Sequence, residues 1–445
     1  MISRFRTAVL ALGCATTVLV PSAPLTASAT TVAPLARSSA AGAGNCPASG
    51  GLKVTEAPTP EAAVKVFGHG WGHGMGMSQY GAQGAARLGC SYRTILGTYY
   101  RDSSVVDRTL VAPVVLSLGT TASTAALDAE GGPVRWVAGS RSVIQDQGTA
   151  WSVSRRTVAG RTGLALLDQA GTRTLFVADG AVLGARHVGT VVKVRPTGSS
   201  SGLRTRRGNA RFIGTSAGIQ VVEVIKTGPK FTAVQKYLLG LAEVPVSWPA
   251  EALKAQVVAA RTYLSSKYSA SEQAYVVRTT TSDQVYRGYA LEEQDALLGG
   301  HWRAAVIATA NKLIVDSSGR AIEAMYSSSM GGHTENRQYV YGRYGISYLK
   351  AVDDSRWDSA SDNPFRRWSR GFSKADLAER FDFDSVSSWK VAKRGSSARL
   401  AGVHITGERN GETVTVSFTG TQARGRLGLL SPGFTFGASG TEAGR

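Results

Sequence analysis

The sequence predicts an α+β fold, rich in strands with a few helices. Three observations carry this. Between residues 105 and 230, short β-type runs recur, broken by Gly, Asp and Ser. From Thr232 onward the apolar residues switch to helical spacing. After Leu400 the pattern returns to strands.

The expected strands are Val111–Leu118, Thr174–Val177, Gly189–Val194 and Ile219–Ile225. Gly214–Gly218 reads GTSAG, the serine-hydrolase pattern, but it lies between two strand-like runs rather than on a strand-to-helix elbow, so it is expected to be a turn. A helix opens at Thr232, where Gln235 three residues later fits a capping box. Val234, Tyr237, Leu238 and Leu241 share its apolar face, and Pro245 is expected to stop it. A second helix opens with Pro249 as its first residue and buries Leu253, Val257, Ala260 and Leu264. A third runs from about His301 to Asn311. A hairpin follows, Leu313–Val315 returning through Asp316–Gly319 to Ala321–Tyr326.

The first residues point to export. Arg4 and Arg6 precede an apolar run from Ala8 to Val20, too short to span a bilayer, and Ala27-Ser28-Ala29 has the small residues of a signal-peptidase site. Later runs are not apolar and long enough for a transmembrane helix. Of three cysteines, Cys14 leaves with the signal, so Cys46 and Cys90 are expected to form a disulfide. The formal charge of +19 falls by the two arginines of the signal, 19 − 2 = +17. Such a charge favours a polyanion. For an exported protein that is an anionic cell-wall polymer; the basic residues are scattered and no nucleic-acid motif accompanies them.

Three segments carry candidate chemistry. Glu243 stands between two helices among Leu241, Ala242, Val244, Pro245 and Val246. Apolar surroundings and the negative end of the preceding helix both raise a carboxyl pKa, as a general acid requires. On spacing alone, an ordinary solvated glutamate at a helix end is the commoner explanation. Phe67–Ala86 holds seven glycines, interrupted by His69, His73, Trp71 and Tyr80, and offers a tight turn with rings able to stack on sugars. A purely structural glycine loop explains that composition equally well. No carboxylate or cysteine stands at ligand spacing from the histidines. Tyr326–Gly342 offers Ser328, Ser329, His333, Thr334, Glu335 and Asn336 in a glycine-containing loop, suited to a glycan or simply to solvent. In RTTTSDQVYRGY, Gln284 and Tyr286 are similar candidates.

Together these motifs resemble the SpoIID/LytB family (stage II sporulation protein D and amidase enhancer). YLLGLAEVPVSWPAEALKAQVVAARTYL is similar to its core signature, and FGHGWGHGMGMSQYGAQGAARLGCSYRTILGTYY to its GHG…MSQYGA segment. QVYRG, YSSSMGGHTEN, YLKAVDD and GRLGLLSPGF match further family segments. The resemblance covers roughly 61–104 and 216–436. It implies a SpoIID-like catalytic domain, with Glu243 as the acid of a lytic transglycosylase acting on peptidoglycan glycan strands. A related branch implies the alternative, a non-catalytic enhancer whose partner is an amidase. Substrate contacts are expected at His73, Ser78, Gln79, Tyr80, Gln284, Tyr286, Ser328, His333, Thr334, Glu335 and Asn336. Two departures stand out. The GHG…MSQYGA segment precedes the catalytic region instead of following it. Where sporulation members show THCQVY, with His and Cys binding zinc, this chain has TSDQVY: Ser282 and Asp283 replace them, so no metal and no cofactor is expected. The resulting organisation is a signal peptide over 1–29, a linker over 30–60, a Gly/His segment over 61–104 packed on the catalytic domain, a β-rich subdomain over 105–215 and a catalytic core over 216–440.

Overall fold

The computed structural model describes residues 64–196, 202–342 and 344–438. The expected signal, the linker and Cys46 lie outside them; Cys90 is buried and disulfide-bonded. The first described strand, Val64–Gly68, is central in a three-stranded sheet between Trp368–Phe372 and Phe434–Ala438, antiparallel to both. Its alternate residues Val64 and Val66 are fully buried, the two-residue period of a half-covered strand. They join Phe372, Leu377, Phe381 and Phe434 in one apolar cluster. The two ends of the described chain therefore meet in a single sheet, which a transposed segment requires.

The strand-rich region is a pair of sheets around one core. One has six strands, Arg173–Ala178, Arg161–Leu167, Ala150–Val158, Thr124–Ala129, Val192–Arg195 and Leu203–Thr205, in that spatial order. The other has eight and includes Val114–Thr121, Gly218–Ile225, Asn209–Thr215 and Val134–Ala138. Trp136, Phe212, Leu127, Val153, Leu164 and Val221 pack between them. GTSAG is the turn joining Asn209–Thr215 to Gly218–Ile225. The second sheet does not stop at 215. It runs to Ile225 and takes in Ala274–Arg278, which pairs parallel with Val114–Thr121. The strand expected at Val111 begins at Val114, after Pro113, whose nitrogen cannot donate to a ladder.

Four helices place the site. α1 (Gln79–Arg87) and α2 (Tyr92–Tyr99) come from the glycine-rich segment, α3 (Ala233–Leu239) and α4 (Ala250–Ser265) from the signature. Thr232 and Gln235 form the reciprocal capping box of α3. α3 ends at Gly240, not at Pro245: a Cβ there would meet the Tyr286 ring, and Leu241 leaves the helix to bridge Tyr286. Pro249 is the N-cap of α4 rather than its first residue. Leu253, Val257, Ala260 and Leu264 are buried as expected. The opposite face of α4 is buried too, with Ala255, Val258 and Ala259 against Ala82, Ile95 and Tyr99 of α1 and α2. α4 is thus the central rod between the signature and the glycine segment.

α5 (Tyr289–Leu297) has no counterpart among the expected helices, and α6 (His301–Ala308) stops short of Asn311, which takes a positive φ of 62°. The expected hairpin after 313 is only partial. Lys312–Asp316 pairs instead with Ser103–Asp107, and the return is a single bridge, Val315 to Ala321. The C-terminal strands Leu400–Arg409, Glu412–Thr419 and Phe434–Ala438 are present, with a helix, Gly420–Leu427, inserted before the last.

Candidate functional site

Leaving α3 at Gly240, the chain pairs Leu241 with Tyr286 in a single antiparallel bridge, and Ala242 N–H donates to Val285 O at 2.8 Å. This short ladder fixes Glu243. Its Oε1 accepts the Val285 N–H at 2.6 Å, and Gln79 Nε2 approaches its Oε2 at 3.5 Å. The Gly/His segment therefore touches Glu243 directly, across 164 residues of sequence. Burial pushes the Glu243 carboxyl up to about 7, against hydrogen bonds from Val285, Gln79 and Tyr326 that pull it down. It is partly buried, at the edge of a cleft of about 640 Å³, and it also borders a smaller cavity of about 350 Å³ beside Pro245 and Arg287.

The glycine segment enters the cleft by close backbone approach. Trp71 bridges Ser329, Tyr80 N–H donates to Ser328 O, and Met77–Ser78 runs parallel to Tyr326–Ser327. Gly76 has φ 69°, and a Cβ would collide with Met325 O; no other residue type fits there without a backbone shift. His73 lines the cleft with Nδ1 accepting the Met75 N–H at 3.0 Å. Burial and then the charge of Arg424 pull its pKa down to about 4, so the ring is neutral at pH 7.

Of the residues expected to meet substrate, His73, Gln79 and Ser328 line this cleft. Tyr80 stands beside it, its ring 5.1 Å from Trp248 and 6.1 Å from Phe365. Ser78 is the N-cap of α1 and accepts from Gly81 and Met330 N–H groups. Gln284 is fully buried behind Glu243, accepting from Tyr237 Oη at 2.8 Å and donating to Tyr326 Oη at 2.7 Å. Tyr286 stacks on Tyr237, centroids 5.4 Å apart. The His333–Asn336 loop, expected as a second wall of the groove, is not part of its lining. Glu335 is buried and accepts from Ser396 N, Ser397 N and Ser397 Oγ; Thr334 accepts from Val352 N; Asn336 accepts from Ala351 N and donates to Ser396. Arg399 donates to His333 O at 2.6 Å. His333, Glu335 and Asn336 thus tie the loop to residues 396–399, where the buried Glu335 carboxylate finds the donors it needs.

Much of the remaining lining comes from residues outside that expectation, among them Tyr263, Lys267, Tyr326, Tyr341 and Arg424. A signal for part of it exists in the sequence. Gln256, Tyr263 and Lys267 recur at helical spacing in and just after α4.

The chain matches the model of the family described as "SpoIID: Stage II sporulation protein" over residues 230–315, the stretch holding α3, Glu243 and α4. It is 37% identical over 173 residues to the amidase enhancer of Bacillus subtilis (strain 168), covering 38% of this chain and 22% of that protein. It is 29% identical over 227 residues to stage II sporulation protein D of the same organism, covering 46% of this chain and 61% of that protein. No solved structure matches it. The class is a strand-rich α+β protein with a buried acid, Glu243, at a polar cleft. Over residues 230–315 the chain is similar to the SpoIID family, and its curated relatives include an amidase enhancer and a stage II sporulation protein D. It spans less than two thirds of the length of these curated relatives.

The zinc that the resemblance implies does not fit the residues present. Asp283 Oδ1 is held by Lys267 Nζ at 2.8 Å and Tyr263 Oη at 3.1 Å, and its Oδ2 accepts the Arg278 N–H at 3.0 Å. Its neighbour Ser282 is a poor zinc ligand, and no group of three or more His, Cys, Asp or Glu converges among the described residues.

Proposed function

We propose that this is an exported cell-wall protein that cleaves peptidoglycan glycan strands as a lytic transglycosylase, with Glu243 as its acid. The observation that carries the reading is a carboxyl, Glu243, held near neutrality by burial at a sugar-sized cleft. A two-carboxylate glycosidase needs a second acid facing the first. The other acids lining this cleft are Glu323 and Asp283, and Asp283 is committed to Lys267. One acid suffices if the sugar supplies its own nucleophile. Glu243 protonates the glycosidic oxygen as the bond to the muramic C1 breaks. The muramic terminal hydroxyl then attacks C1, and the Glu243 carboxylate takes its proton, closing an anhydro ring without water. Gln79 and the Val285 N–H hold the carboxyl in place. Trp71, 42% exposed at the cleft mouth and edge-on to Phe365, offers a face for a sugar ring. The charge of +17 left after export draws the protein to anionic wall polymers. No helix among the described residues is long and apolar enough to cross a membrane.

The name of one relative, amidase enhancer, favours a second reading. In it the cleft binds glycan without cutting it and the protein modulates an amidase. Glu243→Gln separates the two. On purified glycan strands, the transglycosylase reading expects anhydro-muramic ends by mass spectrometry from the native protein and a loss of about 10²–10⁴ in rate for the variant, with glycan binding retained. No anhydro ends from the native protein, or equal rates from both, would leave the modulator reading standing.

A further inference from the structure

Three consecutive residues, Asp283, Gln284 and Val285, each grip a different part of the site. Asp283 binds Lys267, just past the end of α4, together with Tyr263 on α4. Gln284 is fully buried and spans Tyr237 on α3, Ala260 O on α4 and Tyr326. Val285 gives its N–H to Glu243 Oε1, and its carbonyl accepts the Ala242 N–H. The loop is otherwise short of anchors toward solvent. Thr280, Thr281 and Ser282 are exposed or half-exposed, and the turn is closed by Asp283 N–H to Thr280 O at 3.0 Å. At that end the Asp283 carboxylate is the charged tie to α4, next to the buried Gln284 bond to Ala260 O.

We propose that the Lys267–Asp283 ion pair is a positioning device for Glu243. It clamps the 279–286 loop onto α4, so that the Val285 N–H meets the catalytic carboxyl. The proposal rests on the transglycosylase reading for its kinetic consequence but not for its structural one. Neither side chain donates to or accepts from Glu243: Asp283 Oδ1 is taken by Lys267 and Tyr263, Oδ2 by Arg278 N–H. Both groups do line the cleft, so a direct bond to the sugar is the rival explanation. The two differ in what they change. Removing a group that binds the sugar raises KM, whereas displacing a general acid by a fraction of an ångström lowers kcat.

Two measurements on Asp283→Asn, Lys267→Met and Lys267→Arg test this. The first is hydrogen exchange at the Val285 amide in the protein without substrate. Positioning expects at least about tenfold faster exchange in Asp283→Asn and Lys267→Met, with protection recovered in Lys267→Arg. Unchanged protection overturns the proposal whether or not the protein cleaves glycan. The second is kinetics on purified glycan strands. The expected result is kcat lower by about 10- to 100-fold in Asp283→Asn and Lys267→Met, KM within about twofold, and recovery in Lys267→Arg. A raised KM at unchanged kcat makes the pair a sugar-binding group and overturns positioning. Failure of the native protein to cleave strikes the transglycosylase reading alone, and the exchange measurement still decides the clamp.

Discussion

The β-rich pair of sheets and the cleft are held together by different physics. Between the sheets, Trp136, Phe212, Leu127, Val153 and Val221 are fully buried, and the polar atom that Trp136 brings is met by Gln145 Oε1 at 2.8 Å. His187, after the strand Val182–Arg186, is also buried, and burial lowers its pKa to about 4 against backbone hydrogen bonds that raise it, so it sits neutral. Around Glu243 the buried apolar residues Leu241 and Val244 are joined by a polar set, Gln79, Gln256 and Gln284, with Gln256 Nε2 and Ser327 Oγ unpartnered among the described residues. Apolar burial stabilises without direction, whereas hydrogen bonds aim groups and are costly when incomplete. The first region therefore supplies stability and the second precision, at some cost in stability.

The comparison is broken most directly by Trp136→Ala. Removing a fully buried tryptophan from the sheet core should cost about 3–5 kcal/mol of stability. It also strands Gln145 Oε1, yet leaves kcat of the folded fraction unchanged, because Trp136 belongs to the sheet core and not to the cleft lining. Denaturant melts together with turnover below the new midpoint measure both. A fall in kcat would show that the sheets carry part of the site.

A smaller effect, of opposite sign, is expected at the cleft. The Glu243 pKa rises from 4.5 in the unfolded chain to about 7 in the folded one. The folded state therefore holds its proton more tightly. Below pH about 4.5 both states are protonated and nothing is lost; between about 4.5 and 7 the unfolded chain ionises first and stability falls; above 7 the deficit is constant. Glu243→Gln removes that deficit and should be more stable than the native protein by about 3 kcal/mol at pH 8, converging with it near pH 4. The same titration removes the acid, so native activity should decline above pH 7. Equal stabilities at pH 8 would mean that the site does not strain this carboxyl.

How far the molecule is legible in its sequence follows the same division. The capping box at Thr232, the buried stripe Leu253–Leu264 and the GTSAG turn rest on local rules, and the structure has them where those rules place them. α1 is hidden in the sequence because Gly81 and Gly84 read as loop residues. In the fold they are helical, and glycine is required because the Tyr99 hydroxyl and the Trp357 carbonyl lie where a Cβ would be. Glu243 stands out by its apolar neighbours. The walls of its cleft do not, since Arg424 and Tyr341 reach it only through pairings between distant segments. The His333–Asn336 loop misleads for a related reason. Dense polar groups look like a binding surface, but Glu335 spends its oxygens on Ser396 and Ser397 inside the protein.

The smallest expected effect sharpens the comparison at the cleft's edge. Trp71 is 42% exposed, yet its backbone is fixed: its N–H donates to Ser329 O at 2.8 Å and its carbonyl accepts the Ser329 N–H at 3.1 Å. Its ring meets Phe365 edge-on at 4.5 Å, and Phe365 in turn meets Tyr80, which packs on Trp248. This row of rings is an apolar feature set in a polar cleft, and a half-exposed indole gains little stability from its own burial. Trp71→Ala should change unfolding free energy by less than about 1 kcal/mol. If a sugar stacks on the indole, the variant should raise KM for glycan strands by about tenfold, about 1.4 kcal/mol, with kcat held. Phe in place of Trp71 should recover most of that. A variant that lowers kcat instead would make the row part of the acid's support, and one that melts several degrees lower would make it part of the fold.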